Sequence, residues 1–493
     1  MFDAGYLKGE TWGFPGLAVE HTETHAAHVF LVGDRAFKIK KDVRLPYLDF
    51  SSRDKRRAAL AAELEINRLF TPELYLGLVE AKGEPVLVMR RFAATALLAW
   101  QVSHGGIDAP LAEKLAAMVA VSHGKAPPRA VPGAGIMMGL GAQLSGAFVA
   151  SPDIFPPGET LSFHAVCEAA LSGCKALLEM RGQMGLVRRC HGDMHCGNII
   201  VEQGQPRLFD AIEFSESIAT IDVLYDLAFL LMDLWSHGQR RAANIVLNRY
   251  LHLRRSAEDL SGLAALPLFL STRAGVRALV TADLAHEMTP GRSMQARGQA
   301  LDWFRASIAY LSGARPHLVC IGGLSGTGKS TAAAALAPQL GVAPGAIHLR
   351  SDLERKVLAG VGDTQRLDAA HYTPEASFAV YEACLRRAGA ALRAGHSVVL
   401  DAVFAREGER REAEALARGA GARFTGVWLE APEAILTARV AARRNDASDA
   451  TADVVARQLG YDLGTISWVR VDASGDAPET LARIARLFTP SPA

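Results

Sequence analysis

The N-terminal part of the chain alternates short apolar runs with polar turns. Runs with β-strand character lie at residues 28–33, 35–40 and 85–90. Residues 53–70 have the apolar spacing of one long helix. Further along, the pattern is almost wholly helical, apart from a hairpin-like region at residues 191–214. The pattern predicts a small β-rich lobe over about residues 1–92, joined to a helical lobe over about residues 93–312.

Strands alternate with helices in the C-terminal part of the chain. Runs that indicate buried strands lie at residues 317–323, 347–350, 397–401, 423–430 and 467–472. Such alternation predicts βαβ units and a parallel sheet. The preceding helical pattern ends in small, turn-forming residues at 308–316. We therefore place a domain boundary there, between residues 1–312 and 317–493.

Composition and charge narrow the class of protein. Hydrophobic residues make up 49% of the chain and charged residues 21%, which is typical of globular proteins and excludes wholesale disorder. The 53 Lys and Arg residues nearly balance the 52 Asp and Glu residues, for a net charge of +1. This balance gives no basic surface of the kind that binds nucleic acid, so a small-molecule partner is favoured.

Cysteine usage and apolar stretches indicate a cytoplasmic protein. The six cysteines form no CxxC pair and no cluster with zinc-ligand spacing, so we expect reduced thiols. The N-terminus lacks the basic and apolar regions of a signal peptide. The longest apolar stretch, about residues 227–235, is broken by Asp233 and is far shorter than the roughly 20 residues of a membrane helix. No membrane association is expected.

A glycine-rich segment carries the first candidate chemistry. Residues 323–330, GLSGTGKS, fit the phosphate-loop pattern G-x-x-x-x-G-K-[ST] between a predicted strand and a predicted helix. Backbone amides of such a loop surround a polyphosphate, Lys329 is expected to reach the β- and γ-phosphates, and Ser330 to ligate Mg²⁺. The alternative is a turn that binds nothing. The predicted nucleotide-binding residues are Gly323, Leu324, Ser325, Gly326, Thr327, Gly328, Lys329, Ser330 and Thr331.

Two carboxylates follow strands of the C-terminal part. Asp352 comes just after residues 347–350, and Asp401 ends a later run. Open α/β sheets bind ligands at the carboxyl ends of their strands. We expect Asp401 to hold Mg²⁺ directly or through water, and Asp352 to accept the proton of an attacking hydroxyl. A helix N-cap is the alternative role for Asp352.

A pair of arginines suggests a lid. Arg439 and Arg443 are four residues apart on a predicted helix and therefore share one face. The residues that follow, 445–450, are polar and loop-like. Paired arginines before a mobile loop suit a lid that closes over the transferring phosphate. A solvated helix face is the alternative.

The C-terminal part resembles the small-molecule and nucleotide kinase branch of the P-loop proteins, which contains gluconate kinase-like, chloramphenicol phosphotransferase-like and zeta toxin-like enzymes. The resemblance covers about residues 317–490 and includes residues 350–356 (RSDLERK) and 398–402 (VVLDA). Arg355 and Lys356 are candidates for holding an anionic or polar acceptor. An energy-transducing ATPase is the weaker interpretation, because the sequence shows no arginine finger and no subunit-ring insertion.

A second phosphotransfer motif lies in the helical lobe. Residues 191–198, HGDMHCGN, have the kinase catalytic-loop pattern H-x-D-x-x-x-x-N, and Asp210 follows Asn198 by 210 − 198 = 12 residues. In phosphoryl transfer Asp193 would deprotonate the acceptor hydroxyl, while Asn198 and Asp210 would hold Mg²⁺. The alternative is a polar turn between two helices.

A kinase site also needs a lysine on a strand and a helix glutamate that fixes it. Lys38 is the candidate lysine, and Lys40 remains the alternative because period two gives it the same face. Glu63 is the candidate partner, with Glu65 as the alternative. The hairpin upstream has Gly33 at its turn and lacks the pattern G-x-G-x-x-G, which argues against a protein kinase.

Other polar residues near the catalytic loop are assigned structural roles. We interpret His191 and His195 as hydrogen-bond posts, and Asp222 and Asp226 as a brace of the loop rather than metal ligands. Cys190 and Cys196 flank the motif without metal-ligand spacing, and no reactive role is expected for them.

The N-terminal part resembles the aminoglycoside and choline kinase group over about residues 20–312, through HGDxHxxN, the following Asp and the less glycine-rich hairpin. The order of the two parts resembles the bacterial bifunctional aminoglycoside phosphotransferase-like/ATP-binding proteins, with Asp42 as a departure from the proline associated with them. The resemblance implies a two-lobed, protein-kinase-like α+β domain followed by an α/β P-loop domain. We expect ATP and Mg²⁺ at both sites and a small-molecule hydroxyl acceptor. The alternative is a regulatory or conformational ATPase.

Overall fold

The structure is a computed structural model that describes residues 3–24, 26–45, 48–443 and 446–488. It divides the chain into two compact units. The first contains residues 1–147 and 171–253, and the second contains residues 148–170 and 254–493.

The first unit begins with a small antiparallel sheet and one helix. The described strands of this sheet lie in the order β1-β2-β3-β7-β6, and a short β4–β5 pair precedes the helix α1. The elements are β1 Glu20–Glu23, β2 Ala27–Val32, β3 Arg35–Lys40, β4 Arg44–Leu45, β5 Leu48–Asp49, α1 Arg53–Arg68, β6 Tyr75–Ala81 and β7 Glu84–Arg90. Aromatic side chains of the N-terminal segment and of β2 and β3 form one buried core, in which the rings of Trp12 and Phe37 stack 4.5 Å apart. The predicted β-rich lobe is therefore present, with β1, β4, β5 and β6 in addition to the predicted strands.

Helices dominate the following part of the chain, as predicted. The helices are α2 Leu98–His104, α3 Ala109–Lys125, α4 Gly133–Ala150, α5 Pro157–Gln183, α6 Glu216–Ala219, α7 Val223–Ser236 and α8 Arg240–Arg254. Short strands interrupt them at β8 Val187–Arg189, β9 Ile199–Glu202, β10 Gln205–Leu208 and β11 Thr220–Asp222. The β9–β10 hairpin lies inside the predicted region 191–214, and β8 pairs with β11.

A parallel sheet forms the core of the second unit. Its described strands have the order β13-β14-β12-β15-β16, and every neighbouring pair is parallel. The strands are β12 His317–Gly323, β13 Ile347–Arg350, β14 Val398–Asp401, β15 Arg423–Glu430 and β16 Val469–Asp472. The helices are α12 Lys329–Leu336, α13 Ser351–Leu358, α14 Pro374–Arg393, α15 Glu407–Gly419, α16 Glu433–Ala441, α17 Ala452–Leu459 and α18 Ala477–Ala485. The predicted α/β class of this part is confirmed.

The compact units do not divide at the predicted boundary near residue 312. The helices α9 Ala257–Gly262, α10 Leu266–Glu287 and α11 Pro290–Tyr310 belong to the second unit. Their packing explains the difference: Phe304 of α11 contacts the rings of Phe148, Phe155 and Phe163. In addition, α9 packs against α14, and the buried His396 Nε2 lies 3.0 Å from the carbonyl of Leu263. As a division by function, residues 1–312 and 317–493 remain a prediction.

Several helices are more apolar than the sequence analysis indicated. By length and composition, helical stretches long and apolar enough to cross a membrane are Gly133–Ala150, Pro157–Gln183 and Ala257–Ala285. The expectation that the longest apolar stretch is about residues 227–235 is therefore wrong. Small and polar residues, and in the two longer stretches also charged ones, interrupt the apolar residues, so these stretches do not look like continuous apolar runs. Burial differs among them, at 67% for Ala257–Ala285 but 17% for Pro157–Gln183. The absence of membrane association remains a prediction.

Candidate active sites

The first candidate site centres on the amino group of Lys38. Lys38 Nζ lies 2.6 Å from Glu63 Oε1 and 2.7 Å from Asp210 Oδ1. Burial disfavours the charge of Lys38, but the carboxylates of Asp210 and Glu63 outweigh this effect and raise the lysine pKa well above its usual value. Glu65, the alternative partner, is exposed. The structure therefore brings together the predicted lysine, glutamate and aspartate.

The alternative lysine, Lys40, has different partners. Its Nζ lies 2.7 Å from Glu63 Oε2 and 2.5 Å from Glu213 Oε1. Lys40 therefore shares Glu63 with Lys38 but does not replace it at Asp210. The sequence analysis missed Glu213, although its position three residues after Asp210 was a possible signal.

Local contacts hold Asp210 in place. Its φ of +60° lies in the left-handed region, which is uncommon for a residue other than glycine. The Asp210 amide donates to the Tyr75 hydroxyl at 2.8 Å, and the Ala211 amide donates to Asn67 Oδ1 at 2.9 Å. Partial burial opposes the charge of Asp210, but Lys38 outweighs it and lowers the aspartate pKa to about 2. Asp210 is therefore ionised at neutral pH.

Asp193 and Asn198 meet in the predicted catalytic loop, residues 191–198, between β8 and β9. The Asn198 amide nitrogen donates to the Asp193 carboxylate at 2.8 Å and to its backbone carbonyl at 2.9 Å. This arrangement leaves the Asn198 carbonyl oxygen as the group that suits a metal. His195 accepts from the Gly197 amide at 3.0 Å, and its Nε2 lies 3.5 Å from the Asp193 carboxylate.

Buried side chains brace this loop from behind. His191 Nε2 lies 2.9 Å from the Phe209 carbonyl, and burial lowers the His191 pKa, so a neutral ring is favoured. Asp226 accepts from the Gly192 amide at 2.9 Å, and Asp233 accepts from the Cys196 amide at 2.8 Å. These contacts fit the structural roles expected for His191 and Asp226, whereas the sequence analysis gave no role to Asp233.

A second layer supports the brace. His123 lies 3.2 Å from Asp226, and Arg181 makes two hydrogen bonds of 2.6 and 2.8 Å to Asp222. Cys190 is also close to these residues. Its sulfur, a ring nitrogen of His123 and a carboxylate oxygen of Asp226 all lie within 4.8 Å of one another. The spacing in the sequence did not reveal that proximity, because His123 is on a distant helix.

The second candidate site is the phosphate loop between β12 and α12. Gly326 has a φ of +92°, and an added Cβ there would lie 2.5 Å from the Leu436 carbonyl, so the loop requires glycine. Lys329 Nζ donates to the Leu324 carbonyl at 2.9 Å. Burial lowers the Lys329 pKa to about 8, and the nearby Asp352 and Asp401 oppose the shift.

Asp401 meets Ser330 at the end of β14. The Ser330 hydroxyl donates to Asp401 Oδ1 at 3.0 Å, and His348 Nε2 lies 2.6 Å from Asp401 Oδ2. Burial opposes ionisation of Asp401, but the hydrogen bond from His348 lowers its pKa. Hydroxyl and carboxylate oxygens are ligands that Mg²⁺ prefers, so these two residues fit the expected ion. The sequence analysis did not identify His348, which lies on β13.

Asp352 lines the same cavity as the phosphate loop. This cavity has a volume of about 1150 Å³, and Lys329, Ser330 and Asp401 also line it. The N-cap alternative for Asp352 is wrong, because Arg350 occupies the N-cap position and α13 begins at Ser351. Burial raises the pKa of Asp352, Lys329 opposes the shift and Asp401 reinforces it. A raised carboxyl pKa suits a group that accepts a proton.

The predicted arginine pair is not on one helix face. Helix α16 ends at Ala441, so Arg443 lies beyond it, although both arginines line the cavity. Arg439 donates to the backbone carbonyls of Ala473 and Gly475 at 2.8 and 2.5 Å. The shared-face prediction is wrong because the helix ends two residues before Arg443.

The expected lid loop and acceptor lysine are held by ion pairs. Lys356, expected to bind an acceptor, is buried and lies 2.5 Å from Asp449, so it is not available for that role. Asp449 also accepts from the Tyr372 hydroxyl at 2.6 Å, and Asp446 accepts from Arg350 at 3.0 Å. Residue 445 of the predicted loop lies outside the described residues. Arg355 lines the cavity and remains a candidate.

Comparisons with known proteins find a family match for the C-terminal part and relatives over most of the chain. Residues 318–461 match the AAA domain family. Over 488 residues the chain is 29% identical to an uncharacterized protein of Mycobacterium tuberculosis and to one of Mycobacterium bovis, with 95% of each chain covered.

Similar solved structures are of two kinds. A gluconokinase from Sinorhizobium meliloti is 23% identical and has a TM-score of 0.26; the similarity covers 35% of this chain and 93% of that protein. The GDP complex of aminoglycoside 2'-phosphotransferase-IIIa is 14% identical, with coverage of 62% and 96% and a TM-score of 0.39. A choline/ethanolamine kinase family protein from Mesorhizobium loti is 16% identical, with coverage of 59% and 92% and a TM-score of 0.37. The match of residues 318–461 to the AAA domain family lies within the predicted P-loop part, residues 317–493.

Proposed function

We propose that this chain is an ATP-dependent phosphotransferase with two Mg·ATP sites that phosphorylates hydroxyl groups of small molecules. The observation that carries the proposal is that each site contains two carboxylates suited to different roles. Each site has one carboxylate suited to a metal, Asp210 or Asp401, and a separate one suited to a base, Asp193 or Asp352. Transfer to a hydroxyl uses both kinds of group, whereas holding a nucleotide uses only the first.

The contacts of the N-terminal site support this proposal. Lys38 lies between Glu63 and Asp210 with its side chain 12% exposed, and Asn198 holds Asp193 by two hydrogen bonds. The side chain of Asp193 is 39% exposed, so an acceptor hydroxyl from solvent could reach it. A site that only sensed nucleotide would have no use for this accessible carboxylate.

The C-terminal cavity supports it in the same way. The phosphate loop, Asp401 and Asp352 line one space, and Arg355 lies one turn beyond Asp352 on α13. An acceptor beside Asp352 would lie next to the phosphate held by Lys329. In this proposal the partner is a small hydroxylated molecule in the cytoplasm, not nucleic acid or a membrane, in keeping with the net charge of +1.

A screen of acceptors tests the proposal. Purified protein is incubated with Mg·ATP and a library of sugars, aminoglycosides and nucleosides, while ADP release and the mass of each compound are followed. We expect at least one compound to stimulate ADP release and to gain one phosphoryl group. Lys329→Ala and Asp193→Asn assign the product to the C-terminal or the N-terminal site. ATP hydrolysis without any phosphorylated compound would favour the conformational ATPase instead.

A further inference from the structure

A line of five charged groups crosses the N-terminal site. Its order is Asp210, Lys38, Glu63, Lys40 and Glu213, with successive distances of 2.7, 2.6, 2.7 and 2.5 Å between charged atoms. The Asp210 side chain is 43% exposed, whereas those of Lys40 and Glu213 are 4% and 6% exposed. The line therefore runs from a solvent-accessible end to a buried end.

The charges in this line do not cancel. Three carboxylates minus two ammonium groups leave one negative charge. Because an unpaired charge is costly inside a protein, the excess is best accommodated at the accessible end, which is Asp210. The pair formed by Lys40 and Glu213 completes the neutralisation of the buried end and leaves Asp210 as the carboxylate that a cation can reach.

The position of this pair in the chain suggests what it does. Lys40 lies two residues after Lys38 on β3, so both side chains leave the same face of the strand. Glu213 lies three residues after Asp210. The contact between Lys40 and Glu213 thus connects the segment that contains Asp210, the candidate metal ligand, to the strand that contains Lys38, the candidate phosphate-binding lysine.

We propose that Lys40 and Glu213 are positioning residues that hold Asp210 ready for Mg²⁺ and keep Glu63 neutralised when Lys38 turns to the phosphates. This inference rests on the proposed function of the N-terminal site. When Lys38 gives up part of its contact with Glu63, the ammonium group of Lys40 still balances that carboxylate. Neither Lys40 nor Glu213 needs to touch the nucleotide for this role.

The test uses the full chain with Lys329→Ala, which leaves the N-terminal site as the one that binds nucleotide. ATP affinity is measured by calorimetry at a series of Mg²⁺ concentrations. We expect Lys40→Met and Glu213→Gln each to raise the Mg²⁺ concentration for half-maximal binding by about tenfold or more, as other losses of groups that orient metal ligands do. Lys40→Met combined with Glu213→Gln should be less impaired than Lys40→Met alone, because the buried Glu213 carboxylate is then no longer left without a cation, but it should stay weaker than the parent, because Glu63 still lacks Lys40.

Arg56→Met is the matched control. Arg56 makes a partly buried ion pair with Glu84 at 2.8 Å in the same lobe, and Glu84 is not one of the five charged groups of the line. We expect this variant to lower the melting temperature without changing the Mg²⁺ requirement. If Lys40→Met and Glu213→Gln behaved like Arg56→Met, the pair would be structural only and the inference would be wrong. If the Lys329→Ala parent itself bound no Mg·ATP, the proposed function of this site would fail first, and the inference with it.

Discussion

The Ser330 hydroxyl donates a 3.0 Å hydrogen bond to Asp401, although 71 positions separate the two residues in the sequence. The contact forms because β12 and β14 are neighbours in the parallel sheet, so the loop after one strand meets the carboxyl end of the other. Two oxygen atoms of the kind that Mg²⁺ prefers are thereby brought together.

Asp401→Asn should weaken Mg·ATP binding at the C-terminal site by about 10- to 100-fold, because the amide keeps the shape of the side chain but loses its charge. Calorimetry in an Asp210→Ala background, which impairs the N-terminal site, checks this expectation. Asp472→Asn is the control, since Asp472 also ends a strand of this sheet but does not line the cavity. Equal affinities for Asp401→Asn and Asp472→Asn would remove Asp401 from the metal site.

Asp193 and Asp210 should respond differently to substitution. Asp193→Asn is expected to keep Mg·ATP binding while lowering transfer by roughly 10² to 10⁴, which is the usual contribution of a positioned base. Asp210→Ala should weaken binding of the metal and nucleotide instead. Binding and single-turnover transfer are measured for both variants with an acceptor found in the screen. Equal loss of ATP affinity in both would contradict the separation of base and metal ligand.

The sequence predicted the strands of the P-loop sheet well because of how they are buried. Parallel strands covered on both faces have nearly continuous apolar residues, and the boundaries of β12 and β15 match the predicted runs. The edge strand β1, with the sequence EHTE, is exposed along its whole length and has no apolar alternation. No local pattern could distinguish it from a loop.

Site residues were predictable where a local motif fixed their spacing. The catalytic loop and the phosphate loop are of this kind. Partners from distant parts of the chain were not predictable. Lys356 contacts Asp449, which lies 93 positions later, and Glu213 contacts Lys40, which lies 173 positions earlier. The prediction for Arg443 was wrong for a different reason. A shared helix face requires a continuous helix, and α16 ends two residues before Arg443.

His396 should make the stability of the second unit depend on pH. Burial lowers its pKa from 6.5 to about 4, while its hydrogen bond to the Leu263 carbonyl opposes the shift. Between these two values the unfolded chain binds a proton that the folded chain does not. The free energy of unfolding should therefore fall as pH drops from about 6.5 towards 4, by roughly 1.4 kcal/mol per pH unit from this group.

Denaturant unfolding at several pH values, compared between wild type and His396→Gln, isolates this contribution. Glutamine can still donate to the Leu263 carbonyl but does not titrate. The difference in stability between the two proteins should change across this pH range and become constant above it. A difference that stays constant at every pH would show that His396 is not the group responsible.

The compact units also predict how fragments behave. A fragment of residues 317–493 lacks α9 and the fully buried Leu263, so the face of α14 that α9 covers becomes exposed. Because each buried leucine contributes about 1.5–3 kcal/mol, this fragment should melt several degrees below a fragment of residues 254–493. Calorimetric melting of both, with and without Mg·ATP, checks the expectation. Identical melting temperatures would support the boundary near residue 312.

The base role of Asp352 distinguishes transfer to an acceptor from hydrolysis of ATP. An ATPase needs a group that positions water near the γ-phosphate, but it does not need a second carboxylate beside a candidate acceptor residue such as Arg355. Lys329→Ala should abolish both nucleotide binding and turnover at this site, because it removes the phosphate contact. Asp352→Ala should instead impair the transfer of the phosphoryl group to the acceptor, which follows nucleotide binding.

In Asp352→Ala we expect ATP to bind and slow acceptor-independent hydrolysis to continue, while acceptor-stimulated ADP release falls by roughly 10² to 10⁴. The measurement compares ADP release with and without a stimulating compound, in an Asp193→Asn background that impairs transfer at the N-terminal site. Asp462→Ala is the control, because Asp462 also lines the cavity but accepts a hydrogen bond from the Gly464 amide at 3.0 Å. Undiminished stimulation in Asp352→Ala would exclude this carboxylate as the base, since loss of the group that takes the hydroxyl proton cannot leave transfer unchanged.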